Sequence, residues 1–412
     1  MDSIEIKSEK NKDNCFLSKL FFWGITIDIF FLPYLPFMAV SISVVLVAGW
    51  FLINSQYINI DNEVAFFVVM LFLMALGTTI NLFYFGPVRF QTTFSTSIKR
   101  FFQFALCFET FFYYKEYFLK YRVEIENIVF VAVVYMSIFA ILFKVFPHEY
   151  ATIKILVNPA DNHTRRYLAG IIDYRFNYLW TDPNNVAYLV AGLNVWFMLQ
   201  KDTSKIKKIV FLLLSFFIVL CTVSNGGLFV YLLILVLVGL QKLKNILFYG
   251  INRKNCIIGI IIVSIISALF VKTDFYSIIN SKYLASFVER IGYYAGNKTG
   301  GRGTDFILAL NYLNPIMLFV GTGNEGFANE IGHIYWIGMY GGVAYLIFIW
   351  IMFRKLKTQS WSQYLSVIPF FVGFTMNIAI GEYKWMAIYF FILAYTRYGN
   401  GEKIYLKENE KY

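Results

Sequence analysis

Long apolar stretches recur along this chain and constrain its fold more than any other feature. Stretches such as Glu63–Phe85, Ile128–Phe146 and Ile334–Phe353 approach the ~20 residues that a helix needs to cross a bilayer. Of the 412 residues, 58% are hydrophobic and 15% are charged, whereas soluble domains have roughly 45–50% apolar and ~25% charged residues. The sequence therefore predicts an all-α integral membrane protein, with one polytopic domain over residues 1–412.

Counting these stretches predicts about twelve transmembrane helices, with both chain ends in the cytoplasm. The stretch Leu20–Ile53 contains Pro33 and Pro36, and two prolines so close together disfavour a single helix. We therefore expect a tight pair of short spans there. The stretch Phe101–Tyr117 is shorter and strongly aromatic, and it counts as a further span.

Loop charge supports this topology in most places. Loops assigned to the cytoplasm are rich in Lys and Arg, as the positive-inside rule requires. One early loop breaks the rule, because its cations Arg89, Lys99 and Arg100 fall outside. A ten-span alternative moves them inside by treating Leu20–Ile53 as one crossing and Phe101–Tyr117 as interfacial.

Two long polar segments, Pro147–Asn184 and Lys272–Gly332, are assigned to the outer face. They hold nine Lys or Arg residues, which runs against the orienting rule, and all three histidines lie in them or at their edge. An anionic ligand would account for these cations, because a guanidinium group suits phosphate oxygens. Solvated loop charge is the alternative, because nine carboxylates in the same segments balance the cations. The cations are Lys154, Arg165, Arg166, Arg175, Lys272, Lys282, Arg290, Lys298 and Arg302.

Two residues, one in the second segment and one at its edge, are the first candidates for chemistry. Arg302 lies between Gly301 and Gly303, and glycines let a backbone approach a ligand closely. His333 precedes the apolar stretch that begins at Ile334, where an imidazole can act as a general base or donate to a phosphate. A helix-capping or interfacial histidine is the alternative interpretation.

Asp28 and Glu109 lie inside apolar stretches. A carboxylate at membrane depth is costly and often functional, but a structural pair with a Lys, a Tyr or a backbone group accounts for it equally well.

Several site classes lack their signatures in this sequence. No two aspartates stand two residues apart, and no HExxH, GxSxG or Walker motif is present. The four cysteines have no metal-ligand spacing. Much of the net charge of +11 lies in loops that orient spans, so we expect no nucleic-acid partner. We also expect no metal and no cofactor.

Three motifs in the second half of the chain resemble the O-antigen polymerase/ligase superfamily, and most closely a Wzy-type polysaccharide polymerase. Trp180–Leu189 is similar to the superfamily's "PN..A..L" pattern, and His333–Gly342 to its "HN.yl……G..G" pattern. Gly301–Leu310, with the later Phe319–Gly323, is similar to a "GR…al……p…G.G" segment. Their order and spacing match over Tyr178–Trp350, whereas the N-terminal half matches only in hydropathy.

The chain departs from the superfamily at two places. Ile334 follows the histidine, where an Asn, Ser or Gln is common. The turn Thr222–Asn225 lacks the Arg of the "T.SR" pattern.

The resemblance implies a GT-C-like helical fold in the bacterial inner membrane, with the active site on the periplasmic face. It implies a glycosyltransferase that joins undecaprenyl-pyrophosphate-linked repeat units, using lipid-linked donor and acceptor, without metal. A chain-length regulator of the Wzz type and a flippase are the implied protein partners. Arg302 and one or more of Arg165, Arg166 and Arg175 would bind the pyrophosphate, while His333, Asp173 or Glu149 would activate the acceptor hydroxyl. Further substrate-binding candidates are Arg290 and Asn184.

Two other functions remain open from the sequence. A ligase of the same superfamily transfers to lipid A core; the modest outer segments and the altered His motif favour the polymerase. A lipid-linked oligosaccharide flippase should carry charge along a central path through several spans, whereas here charge gathers in the two outer segments.

Overall fold

A computed structural model describes fourteen stretches of the chain, with side chains from Phe16 onward. They are residues 2–35, 41–54, 61–83, 93–159, 161–200, 203–224, 226–233, 235–236, 239, 318–324, 332–354, 370–371, 373 and 382–399. Within them the regular structure is helical, without a β-strand. The all-α prediction is therefore confirmed for this part of the chain.

The helices with defined bounds are numbered in chain order. They are α1 (Asp2–Phe31), α2 (Ile42–Asn54), α3 (Asn62–Ile80), α4 (Phe94–Lys120), α5 (Glu126–Val145), α6 (Pro147–Val157), α7 (Asn162–Leu168), α8 (Pro183–Leu199), α9 (Lys205–Thr222), α10 (Gly332–Tyr340), α11 (Gly342–Phe353) and α12 (Tyr383–Tyr398).

Two helices in the described part of the chain, α3 and α5, are long and apolar enough to cross a membrane. They correspond to the predicted spans Glu63–Phe85 and Ile128–Phe146. Helices α2 and α11 are apolar but shorter. Twelve crossings therefore stay a prediction.

The stretch Leu20–Ile53 contains two helices, as its proline pair predicts. Helix α1 ends at Phe31, just before Pro33, and α2 begins at Ile42. The end of α1 is tied to the start of α2, because the Asp28 carboxylate accepts a hydrogen bond from the Ser43 amide at 2.8 Å. The number of times this stretch crosses a membrane, two in the twelve-span topology and one in the ten-span alternative, stays a prediction.

Helices α4 and α12 run parallel through the core. The hydroxyl groups of Thr110 and Tyr383 lie 3.0 Å apart near the start of α12, and the rings of Phe118 and Tyr395 lie 5.3 Å apart near its end. Edge-to-face aromatic pairs add about 0.5–1.5 kcal/mol beyond the burial of their area. The aromatic stretch Phe101–Tyr117 therefore belongs to a core helix, and its position relative to a membrane stays a prediction.

The end of α1 lies at the same end of the helix bundle as the starts of α4, α8 and α12. Tyr178 donates to the carbonyl of Phe30 at the end of α1 (2.7 Å), and Thr181, before α8, donates to Glu382, before α12 (3.0 Å). Arg100, in the first turns of α4, lies within electrostatic reach of Glu382. We call this end of the bundle, which also carries α6 and α7, the polar end. Arg100 therefore lies at the same end as the segment 147–184.

The opposite end holds a buried charge cluster around Glu63. Lys115 lies 3.0 Å from the Glu63 carboxylate, Tyr398 donates to it at 2.7 Å, and Arg397 lies 3.6 Å away. The cluster joins α3, α4 and α12. Lys207, in a predicted cytoplasmic loop, lies at this end too, bound to Asn127 at 3.1 Å.

Candidate functional site

A buried lysine organises the segment 147–184. Lys154 on α6 donates to the carboxylate of Asp161 at 2.8 Å, to the carbonyl of Trp180 at 3.0 Å, and to the side-chain oxygen of Asn177. Asp161 in turn caps α7 by accepting from the Thr164 amide (3.0 Å) and hydroxyl (2.7 Å). Asp161 also accepts from Asn177 at 2.9 Å. The cluster thus ties α6 and α7 to the loop that leads into α8.

Burial dominates the electrostatics of this pair. Burial lowers the pKa of Lys154 to about 8, although the Asp161 carboxylate opposes the shift. Burial also disfavours the ionised form of Asp161, but Lys154 and the hydrogen bonds from Thr164 outweigh it and lower the pKa of Asp161. Lys154, one of the nine outer cations, is therefore a structural residue.

The other predicted residues of this segment divide into two groups. Arg165, Arg166 and Asp173 are exposed to solvent around α7. Arg175 and Asn184 instead meet: the Arg175 guanidinium donates to the Asn184 side-chain oxygen at 3.1 Å and to the Thr222 carbonyl at 2.9 Å. The structure therefore brings two of the predicted substrate-binding residues into contact at the start of α8.

The turn after α9 completes this contact. Ser224 donates to the same Asn184 oxygen at 2.7 Å. The amide of Asn184 donates to Asp182 at 2.8 Å, which caps α8. Arg175, from the segment before α8, brings its guanidinium group to the Thr222 carbonyl, two residues before Ser224.

His333, the predicted catalytic imidazole, has both ring nitrogens engaged. Nε2 lies 3.2 Å from the carbonyl oxygen of Phe371, and Nδ1 lies 2.9 Å from the hydroxyl of Tyr345. A carbonyl only accepts, so Nε2 carries the proton, and in the neutral ring Nδ1 accepts from Tyr345. As a general base, His333 would first have to release Tyr345.

Arg302 and Arg290, the remaining predicted site residues, lie outside the described residues. Gly321 and Gly323 of the second segment are described, with φ of +76° and +62°. The amide of Gly323 donates to the Met339 carbonyl at 2.8 Å, and a Cβ on Gly321 would lie 2.4 Å from that oxygen. These glycines therefore let the chain pack closely against α10.

Sequence reasoning missed a second set of polar residues at the polar end. Glu382 accepts from Thr181 at 3.0 Å and from Tyr34 at 3.2 Å, and is partly exposed. It stands two residues before Lys384, at the start of the last apolar stretch and outside both outer segments. Charged residues directly before a predicted span were the available signal.

Asp28 forms a structural pair with a lysine, one of the two interpretations left open above. Lys384 lies 3.1 Å from the Asp28 carboxylate and also donates to the carbonyl of Leu32 at 2.8 Å. Glu109, the other carboxylate in an apolar stretch, is partly buried on α4 and forms no hydrogen bond or ion pair with another described residue.

An apolar cavity of about 260 Å³ lies at the polar end, between the end of α5 and α6. Glu149, Lys154 and Asn158 are the polar residues of its lining, and the remaining lining is aliphatic and aromatic. Small-molecule pockets usually measure roughly 300–1,000 Å³, so this cavity fits a short apolar group rather than a whole lipid. Its lining includes Pro33, Phe139, Leu142, Phe146, Ile153 and Leu179.

Comparison with protein-family models, with curated proteins and with solved structures finds no match to this chain. Among the described residues, no three His, Cys, Asp or Glu side chains group together as metal ligands. The candidate site is therefore defined by its own geometry: Arg175 and Asn184 at the start of α8, with Glu382 nearby.

Proposed function

We propose that this chain is a polysaccharide polymerase that joins undecaprenyl-pyrophosphate-linked repeat units at the outer face of a bacterial inner membrane. The observation that carries the proposal is the contact between Arg175 and Asn184 at the turn 222–224. It joins the Trp180–Leu189 motif to the turn that corresponds to "T.SR", so two separate stretches of the resemblance meet at one end of the bundle. The two membrane-capable helices support the membrane location.

The cations would hold the leaving group. Arg175, together with the exposed Arg165 and Arg166 and with Arg302, would bind the pyrophosphate of the donor. A guanidinium fixed in place before the reaction stabilises charge that develops on the departing phosphate oxygens. Arg175 suits this role because Asn184 and the Thr222 carbonyl orient its planar fork.

The lipid tail of the donor needs an apolar surface beside these cations. The cavity between α5 and α6 lies at the polar end and contacts Lys154, the centre of the cluster that positions α7. We place the first isoprene units of the tail there, with the rest of the chain among the membrane lipids.

Deleting the gene in a bacterium that encodes the chain tests this function. A polymerase mutant carries a single repeat unit on lipid A. A ligase mutant leaves bare core and accumulates long lipid-linked glycan, whereas a flippase mutant leaves bare core and retains single repeat units on the cytoplasmic leaflet. Only the first result agrees with the proposal.

A further inference from the structure

Glu382 lies where three parts of the chain meet at the polar end. Its Oε1 accepts from the hydroxyl of Thr181, directly before α8, and its Oε2 accepts from the hydroxyl of Tyr34, between α1 and α2. Glu382 itself directly precedes α12. An ionised carboxylate offers about four lone-pair positions, so each oxygen can accept a further hydrogen bond. Glu382 is partly exposed as a whole residue.

We propose that Glu382 is the general base that removes the proton from the acceptor hydroxyl during glycan elongation. This inference rests on the proposed function and names the residue that acts on the acceptor. His333 is less suited to that step, because Phe371 and Tyr345 engage its ring nitrogens.

The position of Glu382 relative to Arg175 fits the two halves of the reaction. Glu382 contacts Thr181, directly before α8, and Arg175 contacts Asn184 in its first turn, so both side chains reach the N-terminal end of α8. At this end Arg175 would hold the leaving pyrophosphate and Glu382 would accept from the attacking hydroxyl.

The surroundings also keep the carboxylate basic. Burial raises the pKa of Glu382, while hydrogen bonds from Thr181 and Tyr34 and the charge of Arg100 oppose the rise. Asp182 adds to the rise. Two buried lysines stand near it: Lys154 lies within electrostatic reach, and the Lys384 amide donates to the Tyr34 hydroxyl at 3.1 Å. A carboxylate with a raised pKa is a stronger base near neutral pH.

The step balances without an added reactant. The acceptor O–H bond breaks and its proton moves to Glu382, while the oxygen electron pair forms a bond to the anomeric carbon of the donor. The bond from that carbon to the pyrophosphate oxygen breaks, and its electron pair leaves with undecaprenyl pyrophosphate. Glu382 then returns the proton to water at the outer face.

Glu382→Gln tests the assignment in the purified, full-length chain. The probe is lipid-linked repeat units extracted from cells that lack the chain. An amide still accepts from Thr181 but takes up no proton at neutral pH, so kcat should fall about 10²–10⁴-fold while KM changes little. The matched control is Glu126→Gln, because Glu126 accepts from Tyr395 at 3.3 Å in a similar way at the opposite end. This control should keep wild-type kcat.

The pH profile provides a second readout that stays informative if Glu382→Gln fails to fold. Only the ionised carboxylate accepts a proton, so activity should fall as pH drops through the pKa of Glu382. The bonds from Tyr34 and Thr181 favour ionisation, so Tyr34→Phe and Thr181→Ala should each move this acid limb to higher pH. A limb that stays in place in both variants overturns the assignment.

The outcomes separate this inference from the function on which it rests. If the wild-type chain elongates the probe and Glu382→Gln elongates it equally well, Glu382 is not the base and the polymerase stands. If the wild-type chain itself makes no longer product, the proposed function fails and the base assignment fails with it. A loss of kcat in Glu382→Gln at an unchanged melting temperature supports both.

Discussion

Arg175 and Asn184 are nine residues apart in sequence and joined by a 3.1 Å hydrogen bond from the guanidinium to the amide oxygen. The guanidinium bridges onward to the Thr222 carbonyl at 2.9 Å. One planar side chain thus connects the outer segment, the start of α8 and the turn after α9. This bridge fixes the orientation of the Arg175 guanidinium at the polar end. A flexible surface arginine has no such fixed orientation.

Replacing Arg175 should weaken donor binding more than it weakens the fold. A lysine has one ammonium on a flexible stem and cannot reproduce the two directed bonds. We therefore expect Arg175→Lys to raise KM for the lipid-linked donor about tenfold, which corresponds to a loss of about 1.4 kcal/mol of binding free energy. Arg175→Ala should raise KM further. The control is Lys207→Ala, at the opposite end of the bundle. An equal rise in KM in this control would contradict a specific role for Arg175.

Arg302 carries the same expectation from sequence alone. Arg302→Ala should abolish long-chain glycan, because the leaving pyrophosphate loses a guanidinium partner. The measurement is the glycan ladder of complemented deletion cells, with chain abundance followed by immunoblot. Normal chain length at normal abundance would remove Arg302 from the site. The same assay on His333→Ala shows whether the imidazole contributes.

The pair between Asp28 and Lys384 should dominate the stability of the α1–α12 contact. Lys384→Met leaves a buried carboxylate without its cation, which typically costs about 3–5 kcal/mol. Thermal unfolding in detergent should therefore show a large drop in Tm. The double variant Asp28→Leu/Lys384→Met should recover much of it, since replacing both charges by apolar groups is often neutral. A double variant no more stable than the single one would contradict this account.

Lys154 should give the stability of the chain a measurable alkaline slope. Burial lowers its pKa from 10.5 to about 8. Between these pH values the unfolded chain holds a proton that the folded chain has released, so this group makes the free energy of unfolding rise with pH, by at most about 1.4 kcal/mol per pH unit. Tryptophan-fluorescence melts from pH 7 to 10 measure the free energy of unfolding of wild type and of Lys154→Met. Above pH 8 the value for wild type should rise relative to that of the variant. A fall relative to the variant in this range would contradict the buried location of Lys154.

The sequence predicted the helical class because hydropathy depends on local composition. The break in Leu20–Ile53 was also predictable, since Pro33 and Pro36 act on their own backbone. The partners of charged residues were not, because they depend on tertiary packing. Asp28 and Lys384 are 356 positions apart, and nothing local distinguishes this pairing from others.

The candidate site shows the same division. Motif similarity selected Asn184, and the charge of the outer segment selected Arg175, but their contact depends on how α8 and α9 pack. Glu382 was missed because it lies outside both long polar segments of the sequence. The Lys154–Asp161 pair was not predicted, because the sequence does not show which outer cations the fold buries.

Purified chain in lipid nanodiscs, supplied with undecaprenyl-pyrophosphate-linked repeat units, tests the central claim most directly. The reaction contains EDTA and no nucleotide sugar, and products are separated by length. The account predicts a ladder that grows by one repeat unit per step, with release of one undecaprenyl pyrophosphate per bond formed. Products no longer than the supplied repeat unit, from protein that remains folded, would contradict it.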